Sequence, residues 1–339
     1  MKNPKVSVCM PNYNYGRFIG QAIQSVLNQT FTDFELIIVD DCSRDNSISV
    51  IRSFRDPRIR FYRNDKNIGR LRNINKCISL ARGSYVTILP SDGMYSSDSL
   101  AKRVQVLDLN PQVGLVFCSA KIIDEKGVIL REYRPFENNQ IMHGEKFFKI
   151  LILGNRILTL TALVRRECYI KLGAFNREVA SGSRDWEMWL RICLNYDIAY
   201  INQPLAYERK HPDNISSYRG HTTIVGINQY KIVKAIFSNL PKEKKHLASL
   251  EDQAIKSLAQ RILRRSGSNL IHGHTTLARK NISLAISIDN ALIRDWRVYI
   301  FIFISFLGKL AKILEKMPST KNVIQTFLFK DKIKMAKEK

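Results

Sequence analysis

Three short apolar runs in the first third of the chain each end abruptly in a polar cluster. Residues 6–10 run into Pro11-Asn12-Tyr13-Asn14, residues 36–39 into Asp40-Asp41, and residues 85–89 into Pro90-Ser91-Asp92-Gly93. Short β-branched runs of this kind read as parallel strands buried on both faces. In such sheets the carboxyl ends of the strands line up along one edge, where ligands bind. The carboxylates of Asp40, Asp41 and Asp92 are therefore expected in one crevice. Like charges gathered in a cleft repel unless a cation or a hydroxyl-rich ligand joins them, which points to a metal ion, a sugar-nucleotide or both.

Helical periodicity fills the gaps between these strands. Phe18, Ile19, Ala22, Ile23, Val26 and Leu27 make one stripe, and Ile48, Ile51 and Phe54 a second, ended by Asp56-Pro57 before a strand over 59–62. Ile74, Cys77, Ile78 and Ala81 make a third, closed by Gly83 as a helix C-cap. The alternation is that of a doubly wound α/β half-domain. Further strands are expected over 113–119 and 159–164, with turns at 124–127 and 172–175. Past about residue 217 the texture becomes helical and dense in Lys and Arg, placing a boundary near Gly220.

A chain of 339 residues with 45% hydrophobic content can bury one large core or two modest ones. The net charge of +24 favours anionic partners: nucleic acid, an anionic membrane surface or a phosphate-bearing substrate. Six scattered cysteines without a CxxC pair read as buried thiols in a reducing cytoplasm. The start, Met1-Lys2-Asn3-Pro4-Lys5, offers no apolar signal region, and the longest apolar stretch, 298–307, is too short to span a bilayer.

Several residues carry candidate chemistry. Tyr13, at a strand end, offers a flat face to a base, or is packed in a turn. Asp40 and Asp41 can accept from ribose hydroxyls or a base imide while Ser43 caps the next helix; the bland reading is the capping turn alone. Asp92 is a hard-oxygen ligand suited to Mg²⁺ or Mn²⁺ on a diphosphate, or one residue of a common turn. Asp185, at a loop–helix junction, is a general base or a helix N-cap. His211 offers an imidazole to a metal or phosphate, against the ordinary reading of a surface histidine. Arg70 and Arg72 follow Asn67-Ile68-Gly69 and either reach diphosphate oxygens or are solvated.

Taken in order, these pieces resemble a family 2 glycosyltransferase over about residues 4–216. The resemblance rests on residues 6–14 (VSVCMPNYN), 29–36 (QTFTDFEL), 39–43 (VDDCS), 67–69 (NIG), 81–85 (ARGSY), Ser91-Asp92 and 185–191 (DWEMWLR). It implies the GT-A fold of nucleotide-diphospho-sugar transferases, an α/β/α sandwich with a mostly parallel sheet, here followed by a C-terminal helical region. It implies nucleoside contacts at Pro11, Tyr13 and Asp41, with Asp40 beside them, and Mn²⁺ or Mg²⁺ held by Asp92, the last acid of a DxD element; Arg72 and Ser91 are expected as further nucleotide contacts, and His211 as a helper to Asp92 in holding the metal. It also implies a catalytic base at Asp185 that deprotonates the acceptor hydroxyl in one inverting displacement. Two positions depart from the pattern: Pro90 stands where DxD has its first acid, and Arg184 replaces the usual acid before the base. An arginine beside Asp185 is expected to lower its pKa.

The expected organisation is 1–115 as a nucleotide-sugar-binding half, 116–220 as an acceptor-binding half, and 221–339 as a basic helical region. The expected function is sugar transfer from a UDP- or dTDP-sugar to a glycan or lipid-linked acceptor in making a bacterial surface polysaccharide or glycolipid. The expected place is the cytoplasm, at the inner face of the plasma membrane, where residues 294–316 either dock on anionic lipid or pack as a core helix. The rivals are a catalytically silent sugar-nucleotide binder, suggested by Pro90 and Gly93, and a nucleic-acid-binding protein, suggested by charge alone. No nucleic-acid partner is expected, because no binding module is recognisable.

Overall fold

The computed structural model describes residues 3–176, 183–211 and 223–306. By its internal contacts the chain divides into two compact units, Met1–Asn214 and Ile215–Lys339.

The first unit is built on one ten-stranded sheet. Its strands are β1 (Val6–Asn12), β2 (Phe34–Asp40), β3 (Ile59–Arg63), β4 (Tyr85–Ile88), β5 (Met94–Tyr95), β6 (Val113–Ile123), β7 (Ile129–Tyr133), β8 (Gln140–Met142), β9 (Leu163–Arg165) and β10 (Asp197–Arg209). The spatial order is β3-β2-β1-β4-β9-β6-β10-β5, with β7 beside β6 and β8 beside β10. Strands β3, β2, β1 and β4 are parallel, as are β6 and β10; β9 runs antiparallel between β4 and β6. Every residue of β2 is buried, and so is all of β1 except Pro11. That burial on both faces is why these strands are unbroken apolar runs rather than alternating ones.

Helices α1 (Gly16–Leu27), α2 (Ser47–Ser53), α3 (Arg70–Leu80), α4 (Ser99–Leu109), α5 (Gly144–Leu151), α6 (Arg166–Leu172) and α7 (Arg184–Cys193) complete this unit. Alternate residues of β1, Val6, Val8 and Met10, join Ile19, Ile23 and Val26 of α1 and Leu100, Val104 and Leu107 of α4 in one apolar cluster. Each of these side chains is essentially excluded from water, so each contributes ~1.5–3 kcal/mol on burial. Helix α3 packs on β1 and β2.

Three local expectations give way. Gly83 does not cap a helix: α3 ends at Leu80, and Gly83 is needed because a Cβ there would sit 2.6 Å from the Ser7 nitrogen on β1. The segment 159–164 is a 3-10 turn (Thr159–Thr161) before β9 starts at Leu163, since Thr161 Oγ1 bonds the Leu158 carbonyl and bends the chain. Ser43 leaves the α2 N-cap to Asn46 and turns its hydroxyl onto Asp40.

The second unit contains α8 (Thr223–Ser238), α9 (Glu251–Ile271), α10 (Thr275–Ile288) and α11 (Trp296–Phe306), with 3-10 segments at Lys242–Leu250 and Asn290–Arg294. Leu258, Ile262, Leu263, Ala278, Ile282, Val298 and Phe301 are among its core residues. No helix among the described residues is long and apolar enough to cross a membrane.

Candidate active site

Because β2, β1 and β4 are adjacent and parallel, their carboxyl ends share one edge, with Asn12 in register with Asp40. Two loops there are stitched together. The Asn14 amide donates to Ser43 Oγ at 2.9 Å, and the Arg44 amide donates to Asn14 Oδ1 at 2.8 Å. Asn14 and Cys42 hold left-handed backbone, φ 56° and 64°, a conformation natural for Asn and costly for Cys by ~1–3 kcal/mol. Strain kept at a strand-end loop is characteristic of a functional site.

The two adjacent acids have separate roles. Asp40 is fully buried; its oxygens accept from the Ser43 amide, the Ser43 hydroxyl and Asn12 Nδ2, so it shapes the loop from behind. Asp41 Oδ1 accepts from Asn64 Nδ2 and the Ile68 amide, both at 2.8 Å, and Oδ2 from the Gly69 amide at 2.9 Å. It thereby clamps the turn that opens α3. Asp41 is itself buried, 1% exposed, with three of a carboxylate's about four acceptor positions filled by these donors. Ser91 Oγ donates to the Pro11 carbonyl at 3.1 Å, joining the ends of β1 and β4. Tyr13 lies in front of this frame with 41% of its surface exposed, a free aromatic face.

Arg72 is exposed, and so is Arg70 at the first position of α3. Two residues along a helix are ~200° apart, so the pair cannot serve one point together. Among the charges that lower the Asp185 pKa is that of Arg70. Arg70 follows Gly69, whose amide bonds Asp41, and its charge also reaches Asp185.

Asp185 is the second residue of α7, whose N-cap is Ser183, so it is not the cap. Its Oδ1 accepts from the Trp186 amide at 2.8 Å; Oδ2 accepts from Thr159 Oγ1 at 3.1 Å and Asn155 Nδ2 at 3.3 Å. Burial pushes its pKa up, and the Trp186 amide, Thr159 and Arg70 pull it only partly back. This corrects the expectation of a pKa lowered by Arg184: desolvation outweighs the neighbouring charges. A carboxylate made more basic and fixed by three donors is a proton acceptor held in one orientation.

Asp92 and His211, 119 residues apart, are brought together: Asp92 Oδ2 and His211 Nε2 are 3.1 Å apart, and the imidazole is wholly buried. Phe18 lies 5.0 Å from the imidazole ring and Tyr15 5.7 Å, so the ring is wedged between them. Arg17 Nη2 lies 3.3 Å from His211 Nδ1. A guanidinium has only donors, so Nδ1 accepts and Nε2 carries the proton toward Asp92. Behind them Arg209, buried, donates from Nε to the Asp92 carbonyl and reaches Gln21, Asp124 and Glu125. Gly93 follows because a Cβ there would press on Leu89 and Leu160.

No group of three His, Cys, Asp or Glu among the described residues forms a ready metal cage. With the imidazole in its other tautomer, Nε2 unprotonated, Asp92 and His211 suit a divalent cation as a partial ligand set. Neighbouring ligands of an octahedral ion with ~2.1 Å bonds stand about 3 Å apart, close to the separation of these two atoms. Such an ion takes its other ligands from phosphate oxygens and water.

Sequence reading missed Thr159, Asn155, Arg17 and Asn64. The first two orient Asp185, Arg17 sets the His211 tautomer, and Asn64 holds Asp41. Only Asn64 stood near a recognisable signal, the Asn67-Ile68-Gly69 turn.

The glycosyl transferase family 2 model matches residues 7–173. An uncharacterised glycosyltransferase of Methanocaldococcus jannaschii is 30% identical over 223 residues, 64% of this chain and 75% of that protein. WcaA of Escherichia coli, named for colanic acid biosynthesis, is 28% identical over 57% of this chain and 68% of its own length. The chain therefore belongs to glycosyl transferase family 2 and is a glycosyltransferase. Its fold is GT-A. The mannosyltransferase of Pyrobaculum calidifontis, solved with GDP-mannose and Mn²⁺, superposes with a TM-score of 0.56 at 17% identity, covering 98% of this chain and 87% of that one. Residues 1–349 of TarS from S. aureus, solved with UDP-GlcNAc, give 0.56 at 16% identity, covering 86% of this chain and 92% of that one.

Proposed function

We propose that this glycosyltransferase is an inverting enzyme that moves a sugar from a nucleoside-diphosphate donor, UDP- or dTDP-linked, to a hydroxyl of a glycan or lipid-linked acceptor in building a bacterial surface polysaccharide or glycolipid. The observation that carries this reading is Asp185: a carboxylate of raised basicity, oriented by Thr159, Asn155 and the Trp186 amide, and reached by the charge of Arg70, which follows the turn clamped by Asp41.

In this reading residues 1–115 bind the donor and 116–220 the acceptor. Tyr13 stacks on the base, Asp41 accepts from the nucleoside through its remaining acceptor position, and Pro11 and Ser91 shape the floor beneath it. Asp40 acts from behind by holding Ser43 and Asn12. The acceptor hydroxyl gives its proton to Asp185 as its oxygen bonds the anomeric carbon. On the opposite face the bond from that carbon to the diphosphate breaks, and the configuration inverts. Arg70 offsets the charge that gathers on the leaving diphosphate. Asp92 and His211 would hold Mn²⁺ or Mg²⁺, which supplies Lewis-acid stabilisation of that diphosphate. Arg17 and Arg209 keep those two residues in place.

Support for a sugar-nucleotide donor also comes from the structural neighbours, one solved with UDP-GlcNAc and one with GDP-mannose, and support for a polysaccharide product from WcaA. The test is a thermal-shift screen of nucleotide-sugars with and without Mn²⁺, followed by transfer assays with the best donor and analysis of the anomeric product. A shift for one donor class and an inverted linkage are expected. A retained configuration would refute the single displacement.

A further inference from the structure

The second unit carries an apolar face that its own described core does not use. On α11 the residues Val298, Phe301 and Ser305 are buried against the helical core. On the opposite side Trp296, Tyr299, Ile300, Phe303 and Phe306 stand 43–71% exposed. At 100° per residue these five fall within an arc of about 120°, one stripe with no charged residue of α11 in it, the Arg279 guanidinium of α10 lying 4.8 Å over the Phe306 ring at its end. Ile293, 49% exposed, lies one turn before it. A helix apolar on both faces, with only one of them covered among the described residues, offers an interaction surface.

We propose that this stripe docks the protein on an anionic lipid bilayer, with α11 lying in the plane of the interface. Two observations choose lipid as the occupant. The stripe is made of Trp, Tyr, Phe and Ile, and rings with a polar edge such as Trp and Tyr settle at the headgroup level while Phe and Ile enter the acyl boundary. The charge around it is complementary to an anionic leaflet: residues 215–339 hold 23 Lys and Arg against 8 Asp and Glu, +15 of the chain's +24. Arg294 is exposed at the start of the stripe, Lys280 is exposed on α10, and the sequence beyond Phe306 continues with Lys309, Lys312 and Lys316. The uncharged run between Arg297 and Lys309 is eleven residues, ~16 Å as a helix and about half a bilayer core, too short to cross and suited to lying along the surface. A short apolar stripe alone binds weakly, and the surrounding cations supply the second attraction that stable docking requires. This inference does not depend on the catalytic reading, because docking requires neither donor nor acceptor.

The test uses the full chain in flotation with vesicles of phosphatidylcholine alone or mixed with phosphatidylglycerol, at low and high salt, and with acyl chains brominated near the headgroup. Trp186 and Trp189 are buried in the first unit, so quenching of tryptophan fluorescence by bromolipid reports Trp296. The expected result is salt-sensitive flotation with the anionic vesicles and quenching that disappears in Trp296→Phe, a variant that still floats. Tyr299→Ser with Phe303→Ser should weaken partitioning by roughly 100-fold, about tenfold for each large side chain kept from the apolar boundary. Phe303→Leu should retain it, which separates lost docking from lost folding. Absence of flotation, flotation without quenching, or equal flotation of the double Ser variant would each overturn the proposal. A double variant that turns a lipid-indifferent dimer into a monomer would assign the stripe to a second copy instead.

Discussion

Replacing Asp185 by asparagine removes the proton acceptor while keeping the side chain's shape, and the surrounding bonds fix what else changes. The introduced amide has one oxygen where the carboxylate has two. If that oxygen keeps the Trp186 amide, the new NH₂ faces Thr159 Oγ1, which can turn its hydroxyl to accept, and Asn155 Nδ2, which cannot. Asn155 is held in its orientation because its Oδ1 accepts from the Ile157 amide at 3.0 Å. One bond of 3.3 Å is therefore lost, worth ~0.5–1.5 kcal/mol. Against this stands the relief of a buried charge. A folded-state pKa raised above its unfolded value means that protonation stabilises the fold, an effect complete below the unfolded pKa and lost as pH rises through the folded one. At neutral pH the ionised Asp185 is thus a stability liability that the asparagine variant lacks. The two effects oppose each other, so thermal melting at pH 7 should leave Tm within a few degrees of the parent. Catalysis should fall by about 10²–10⁴-fold in kcat, ~3–5 kcal/mol of barrier, with donor binding retained. The parent should show an acid limb in kcat/KM above the ordinary Asp value of 3.8, because only the ionised form accepts the proton. The assay is initial-rate transfer across pH, paired with donor binding by calorimetry. A variant retaining kcat within tenfold of the parent, with an unchanged acid limb, would refute the base assignment.

Asp92→Ala and chelation with EDTA should each lower kcat by about 10²-fold or more, the scale of losing one preorganised electrostatic contact on the leaving group; unchanged turnover under both would remove the metal from the reaction. Asp41→Ala leaves Asn64 Nδ2 and the Ile68 and Gly69 amides without their acceptor, at ~1–3 kcal/mol for each group that finds no water, so both donor affinity and Tm should fall together in calorimetry and melting curves. Tyr13→Ala should raise the donor KM by about three- to tenfold through lost stacking while Tyr13→Phe preserves it, and equal values for the two would indicate a contact through the hydroxyl instead.

The strand ends were legible because burial on both faces leaves a signature that needs no partner: an apolar run, then a polar stop. What escaped were roles decided across the sheet. Ser43 and Asp40 read as a cap and a ligand contact, but their side chains meet each other, since Asn12 on the neighbouring strand stands in register and turns Asp40 inward. Gly83 read as a helix cap, yet the constraint on it comes from β1, 76 positions back in the chain. Arg72 and Arg70 were inseparable by periodicity, because nothing local tells which side of a helix's first turn faces a carboxylate more than a hundred residues away.

The Pro90 substitution shows most clearly why such roles are not local. Proline has no side-chain donor or acceptor, so by sequence the metal element looks reduced to one acid. In the folded chain a second candidate donor stands beside it: β10, thirteen residues long, ends at Arg209, and His211 just beyond lies against Asp92. That placement depends on register: β10 shifts its pairing with β6 around Pro204, and a one-residue slip without such a shift would turn its inward side chains to the opposite face. Tyr15 and Phe18, on the loop and helix that follow β1, then fix the ring, and Arg17 between them leaves Nδ1 no role but acceptor. The nitrogen facing Asp92 is therefore the protonated one; for Nε2 to bind a cation the ring would have to take its other tautomer, with Arg17 turned away from Nδ1.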